Sequence, residues 1–160
     1  MGSNITHLFT LNKINNIMTE EQIKHLEFIQ GIINRMNSNS FAIKGWAITI
    51  ISALLALYAS SSNETYVFVA IMPTILFWFL DAYYLQQERK FRGIYNDIVN
   101  NRERIKLFDM PINNYEDGKY SYCCVFWSRT IAPLYGLICI TLLIIGLILK
   151  CNICIICSGC

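Results

Sequence analysis

Apolar and polar positions segregate along this chain into long blocks. Between Phe41 and Arg92 lie two apolar runs, 41–60 and 66–85, each about the 20 residues a helix needs to cross a bilayer, separated only by the short polar loop Ser60–Thr65. This pattern predicts a transmembrane hairpin. A third apolar run, 130–149, follows Trp127 and Arg129 and predicts a further spanning helix. The fold class expected is therefore an all-α integral membrane protein with three transmembrane helices and cytoplasmic helical extensions.

Ahead of the hairpin the pattern changes to a helical stripe. Thr19 and Gln22 make a capping-box pair, Met18 and Ile23 occupy the positions of a hydrophobic staple, and a helix over 19–38 follows. Leu26, Ile29, Ile33 and Met36 fall at the spacing of a short seam, with Glu20, Glu21, Lys24, Glu27 and Arg35 on other faces. Two heptads do not make a coiled coil, so this cytoplasmic interface is expected mainly to meet the chain's own second cytoplasmic helix, with a partner protein as the alternative. Asn37–Ser40 predicts a break before the first span. After Leu85, the residues Phe91, Ile94, Ile98 and Ile105 keep to one side, and the second span is expected to continue as one helix to Phe108. Residues 109–129 form a loop, where Asp117-Gly118 signals a turn or a small hairpin. Pro73 predicts a kink in the second span. Residues 1–18 read as a loosely attached leader and 150–160 as a cysteine-rich tail.

Charge adds orientation. With 54% hydrophobic and 15% charged residues the chain is richer in apolar side chains than a soluble domain, and its formal net charge of +2 says little by itself. The distribution says more. The 60–65 loop has no Lys or Arg, Lys44 stands at the start of the first run, and Arg89, Lys90 and Arg92 follow the second. The positive-inside rule then puts that loop outside, the N-terminus in the cytoplasm and the C-terminus outside, leaving all but Lys150 of the 13 Lys and Arg on the cytoplasmic side. Such asymmetry suits anionic lipid rather than nucleic acid. Trp46, Trp78, Tyr83 and Tyr84 sit near the inner boundary and Tyr58 and Tyr66 near the outer one, as in an aromatic belt. The polar first 40 residues show no cleavable signal peptide.

Two residues are candidates for a site. Lys44 and Asp81 stand equally far from the middle of the loop, so antiparallel helices bring them to the same depth in the inner leaflet. A charge there is costly and pairing reduces the cost; Lys44 reaching separately to the head groups, or Asp81 lining a pore, are the other readings. Small residues mark candidate helix interfaces: Ser52, Ala56 and Ser60, then Ala132 with Gly136. The tail residues Cys151, Cys154, Cys157 and Cys160 recur every three positions, a spacing that can hold zinc or an iron–sulfur cluster, although disulfides or membrane-facing thiols fit an outside tail better. Cys123 and Cys124, beside the inner surface, could be acylated. His7 and His25 have no nucleophile nearby, and no phosphate loop, nucleophile elbow or twin-carboxylate motif occurs, so neither an enzyme nor a cofactor is expected. Two glycosylation patterns, at Asn4 and Asn63, read as chance.

The segments NRMNSNSFAIKGW, FWFLDAYYLQQERKFR and SRTIAPLYG resemble a group of small bacterial multi-pass membrane proteins built from a cytoplasmic helix, a hairpin carrying Lys-Gly-Trp and Leu-Asp-Ala-Tyr-Tyr, and a further span. The resemblance covers Thr19 to Leu149 and implies Lys44, Trp46, Asp81, Tyr83, Tyr84 and Arg92 as the family-like positions. In architecture the chain is also similar to the SLATT class of transmembrane effectors from bacterial anti-phage operons. That similarity implies a homo-oligomer that permeabilises the inner membrane when a cytoplasmic partner or small ligand triggers it. A membrane scaffold that recruits a cytoplasmic partner without conducting is the competing expectation.

Overall fold

A computed structural model describes residues 19–100 and 105–158, with side chains to Leu149. The described residues are helical, and they contain no strand. Helix α1 spans Glu20–Ser61, α2 Thr65–Val69, α3 Ile71–Asn100, α4 Tyr122–Phe126 and α5 Ala132–Ser158. Three helical stretches are long and apolar enough to cross a membrane: α1, the α2–α3 unit and α5 up to Leu149. The leader 1–18 and Cys160 lie outside the described residues.

Helix α1 begins where the capping box places it. The Thr19 hydroxyl accepts from the Gln22 N–H at 3.3 Å while the Gln22 side chain accepts from the Thr19 N–H at 3.0 Å. The expected break at Asn37–Ser40 is absent, and α1 runs 42 residues without interruption, about 60 Å. Asn and Ser are poor helix formers by at most roughly 0.7 kcal/mol each, which is small against a buried seam that crosses them. The buried positions Leu26, Ile29, Ile33, Ser40, Ile43, Ala47 and Ile51 continue at steps of three, four or seven from the charged half into the apolar half. Three serines finish the helix. The Ser60 and Ser61 hydroxyls donate to the Leu57 carbonyl, and Ser62, at φ 55°, donates its N–H to the Tyr58 carbonyl at 2.8 Å.

Helices α2 and α3 return antiparallel along α1, interrupted at Ala70. The cause is Pro73, which has no N–H to give the Val69 carbonyl and whose ring crowds that turn. The next bond, from the Thr74 N–H to the Ala70 carbonyl, is stretched to 3.4 Å, and the Thr74 hydroxyl reinforces it at 2.8 Å. At the far end α3 is described to Asn100 and does not reach Phe108: residues 105–110 are irregular, with Phe108 at φ 61°. Instead of extending, the chain folds back. Tyr115 packs into the cluster of Leu26, Ile29, Ile33, Phe91, Ile94 and Ile98, with Ile105, Met110 and Ile112 against it. The Phe108 ring packs at a tilt on the buried His25, with centroids 5.5 Å apart. The Asp117-Gly118 turn belongs to two short 3-10 turns, 112–114 and 118–120, with Gly118 at φ 60°, and not to a hairpin.

The core thus has three tiers along one axis. The first is the fold-back tier just described. The second joins Ala47 and Ile51, Ala82, and Ile131 and Tyr135 at the start of α5. The third joins Val67 and Ala70 to Leu142. Helix α5 continues beyond Leu149 to Ser158, so the backbone at Cys151, Cys154 and Cys157 is helical. The apolar stretches bury little of themselves within the chain, only 22%, 28% and 17% of their most apolar windows. Most of that surface therefore faces outward, including Leu76, Phe79, Leu137, Ile140 and Leu147, which is far more exposed apolar area than a soluble monomer carries.

Candidate functional site

The site lies between the first and second tiers. Ser40 and Lys44 stand one turn apart on the seam face of α1, and Asp81 faces them from α3. The Lys44 Nζ lies 2.7 Å from Asp81 Oδ2 and 2.8 Å from Oδ1, and it donates to the Ser40 Oγ at 2.7 Å. The Ser40 hydroxyl in turn donates to Asp81 Oδ1. Lys44 is thus paired rather than turned away to the boundary. The exposures are unequal, 23% for the Lys44 side chain and none for that of Asp81. Enclosed in this way, Asp81 lines no surface of the single chain.

Tyr135 closes the far side. It is fully buried, and Asp81 is its charged neighbour. The Tyr135 hydroxyl and Asp81 Oδ2 complete no hydrogen bond of good geometry among the described residues, so the Lys44 ammonium is the partner that Oδ2 has. Trp78, on α3, then seals the cluster against α4. Its ring stacks on Phe126 at 4.5 Å and lies nearly parallel to Tyr135 at 6.1 Å, and its Nε1–H donates to the Phe126 carbonyl at 3.2 Å. Trp78 is therefore partly an internal residue, whereas Trp46, Tyr83 and Trp127 stay exposed at this level.

Chemically the cluster is one acid, one base and two hydroxyls held by three helices. It can tie the helices together and release them when the ion pair is broken or exchanged. Lys44 and Asp81 were legible from their spacing around the loop. Ser40 carried a signal that was missed, since it stands four residues before Lys44 on the same helical face; Tyr135 carried none.

The other sequence candidates are dispersed. Ser52, Ala56 and Ser60 are exposed, in line with Ala42, Gly45 and Thr49 on the same outward face of α1. A Cβ built on Gly45 would meet nothing within 4 Å. Ala132 and Gly136 are half-buried, and Gly136 likewise has open space. Close approach occurs at two other glycines: a Cβ at Gly146 would lie 3.2 Å from the Phe68 ring, and one at Gly93 would lie 2.7 Å from Tyr115 and from the Tyr120 hydroxyl. Of the stripe expected to be a cytoplasmic interface, Leu26, Ile29 and Ile33 are buried in the fold-back tier and Met36 is half-buried. The side chains of Cys151, Cys154, Cys157 and Cys160 lie outside the described residues. Among the described residues no cluster of His, Cys, Asp or Glu could hold a metal, and Cys123 and Cys124 are exposed.

An all-helical protein with three membrane-length helices and an internal ion pair is the class these features define. The chain matches no protein-family model, no curated protein and no solved structure.

Proposed function

We propose that the chain is a self-associating, non-enzymatic effector of the bacterial inner membrane that permeabilises it, with the charged half in the cytoplasm as the part that receives the trigger. The observation that carries this reading is the outward face of α1. Ala42, Gly45, Thr49, Ser52, Ala56 and Ser60 run down it, and small residues at such spacing let helix backbones meet closely in lipid. All six are exposed among the described residues, and a Cβ on Gly45 would meet nothing within 4 Å. A second copy supplies the packing partner. The setting in antiviral defence rests on the resemblance in architecture alone.

The Lys44–Asp81 tie offers a mechanism. Within one chain it holds α1 to α3; in an assembly, Lys44, the more exposed member, can exchange to Asp81 of a neighbour as the helices rotate, coupling assembly to opening. The experiment is the mass of the full chain in nanodiscs together with dye and ion leakage from liposomes. A defined homo-oligomer that leaks, with leakage changed by Asp81→Asn, is expected. A monomer that stays tight, or leakage indifferent to that substitution, would sink the reading.

One observation favours the scaffold alternative. A groove on the charged half, lined by Ile23, Leu26, Glu27, Gln30, Asn34 and Tyr95, stays open. On that reading partner capture depends on Ile23 and Gln30 rather than on the core residues Ile29 and Ile33, and liposomes never leak.

A further inference from the structure

The fold-back segment builds a second polar feature that neither the ion pair nor the small-residue face uses. Its residues come from two places in the chain. Arg89, Arg92 and Asn96 follow one another at successive turns of α3, and Lys119 and Tyr120 arrive from the 3-10 turn after Gly118. Together with Gly93 they line an open hollow of about 270 Å³.

The hollow is constructed by the tertiary fold. The Gln86 amide donates to the Tyr120 carbonyl at 2.9 Å, and the Arg89 guanidinium donates to the Lys119 carbonyl at 3.4 Å. Gly93 makes the floor: the ring of Tyr115 and the hydroxyl of Tyr120 approach so closely that a methyl group there would collide with them. This seating holds the Lys119 ammonium 5.0 Å above the Tyr120 ring, where the ring face favours a cation. Three cations, a side-chain amide and a phenol thereby converge, and among the described residues no carboxylate lines the hollow. Of the three, only Arg92 has a carboxylate partner among the described residues: Glu88, at 2.7 Å through Nε. Its terminal nitrogens remain to donate. Tyr120 donates its hydroxyl to nothing else among the described residues. Three cationic donors with no carboxylate among the described lining residues select an oxyanion, and guanidinium forks match the oxygens of a phosphate in particular.

We propose that this hollow is a phosphate-ester site. Its place in the fold suggests which ester. Arg89 stands eight residues beyond Asp81 on α3, about 12 Å along the axis, one turn past the apolar run that ends at Leu85. That is the level of lipid head groups on the face proposed to be cytoplasmic, so the phosphate of an anionic phospholipid reaches the hollow while its acyl chains lie along α3. The lipid source rests on the membrane placement proposed above. A soluble phosphate ester would use the same donors without it.

The test has two arms and uses the full chain. In the first, the protein is reconstituted in nanodiscs of phosphatidylcholine with or without phosphatidylglycerol, and the lipid retained after detergent extraction is read by native mass spectrometry. Wild type is expected to retain phosphatidylglycerol selectively. Lys119→Ala and Arg89→Gln should each lower that retention roughly ten-fold, the effect of a lost charge-assisted contact, and Tyr120→Phe by less. Arg35→Gln, a basic residue on the same half but outside the hollow, should leave retention unchanged. In the second arm, glycerol 3-phosphate is titrated against protein in neutral detergent, with protection of Lys119 from amine acylation as the readout. Protection here, without selective lipid retention, assigns the site to a soluble ester. Equal losses in Arg35→Gln and the hollow variants, or neither retention nor protection, overturn the proposal. Circular dichroism of each variant separates loss of the site from loss of fold, and liposome leakage is scored separately, so failure of the effector reading does not count against the site.

Discussion

At the scale of single residues the asymmetry of the ion pair makes a sharp prediction. Asp81 is wholly enclosed whereas Lys44 is partly exposed. Lys44→Met strands a buried carboxylate whose remaining donor is Ser40, and breaking a buried pair in that way costs about 3–5 kcal/mol. Asp81→Asn leaves a lysine that can swing to the boundary along its flexible stem, so its cost should be roughly 1–2 kcal/mol. Replacing both residues with apolar ones should cost less than Lys44→Met alone. Unfolding in graded denaturing detergent, arranged as a double-mutant cycle, measures all three, and equal costs for the two single variants would contradict the geometry. Glycines give a second contrast. Gly93→Ala pushes a methyl group into Tyr115 and Tyr120 and should destabilise by about 1–3 kcal/mol, loosening 105–121 to protease. Gly31→Ala meets nothing within 4 Å and should stabilise α1 by about 0.5–1 kcal/mol.

At the scale of elements the question is what joins and what interrupts them. Helix α1 is continuous because its seam is continuous; a proline at Ser38 should therefore cost about 3 kcal/mol or more and uncouple the charged half, seen as faster amide exchange over 20–36 with the apolar half unchanged. The α2–α3 interruption has the opposite origin, a missing donor. Pro73→Ala restores the bond to the Val69 carbonyl and should merge the two helices, slowing amide exchange at Val69 and Ala70. The left-handed Ser62 that closes α1 predicts a smaller gain, up to about 1 kcal/mol, for Ser62→Gly.

The whole molecule exposes most of its apolar surface, and its internal contacts are concentrated in three tiers. That leaves the outward face of α1 open, the face proposed above for self-association. A Cβ on Gly45 meets nothing within 4 Å and Ala56 is exposed, so Gly45→Leu and Ala56→Leu should each leave the thermal stability of the monomer unchanged while lowering the oligomeric mass in nanodiscs. Ile29→Ala, in the fold-back tier, should do the reverse: about 2–5 kcal/mol lost from the fold, with the association face intact.

Much of this architecture is set by the sequence alone, because hydrophobic length and helical period are local quantities. The three apolar runs, the capping box at Thr19, the short turn at 62–64, the proline interruption and the meeting of Lys44 with Asp81 all follow from counting along the chain. The tertiary structure decided what counting cannot reach. Asn37–Ser40 looked like a break because propensity is read one residue at a time, while the packing that overrides it comes from α3. The second helix looked longer than it is because nothing before Asn100 announces that Tyr115 will be seated on Gly93. Tyr135 joined Asp81, and Lys119 joined Arg89, across dozens of residues through the folding of a loop, and contacts of that range leave no period in a sequence.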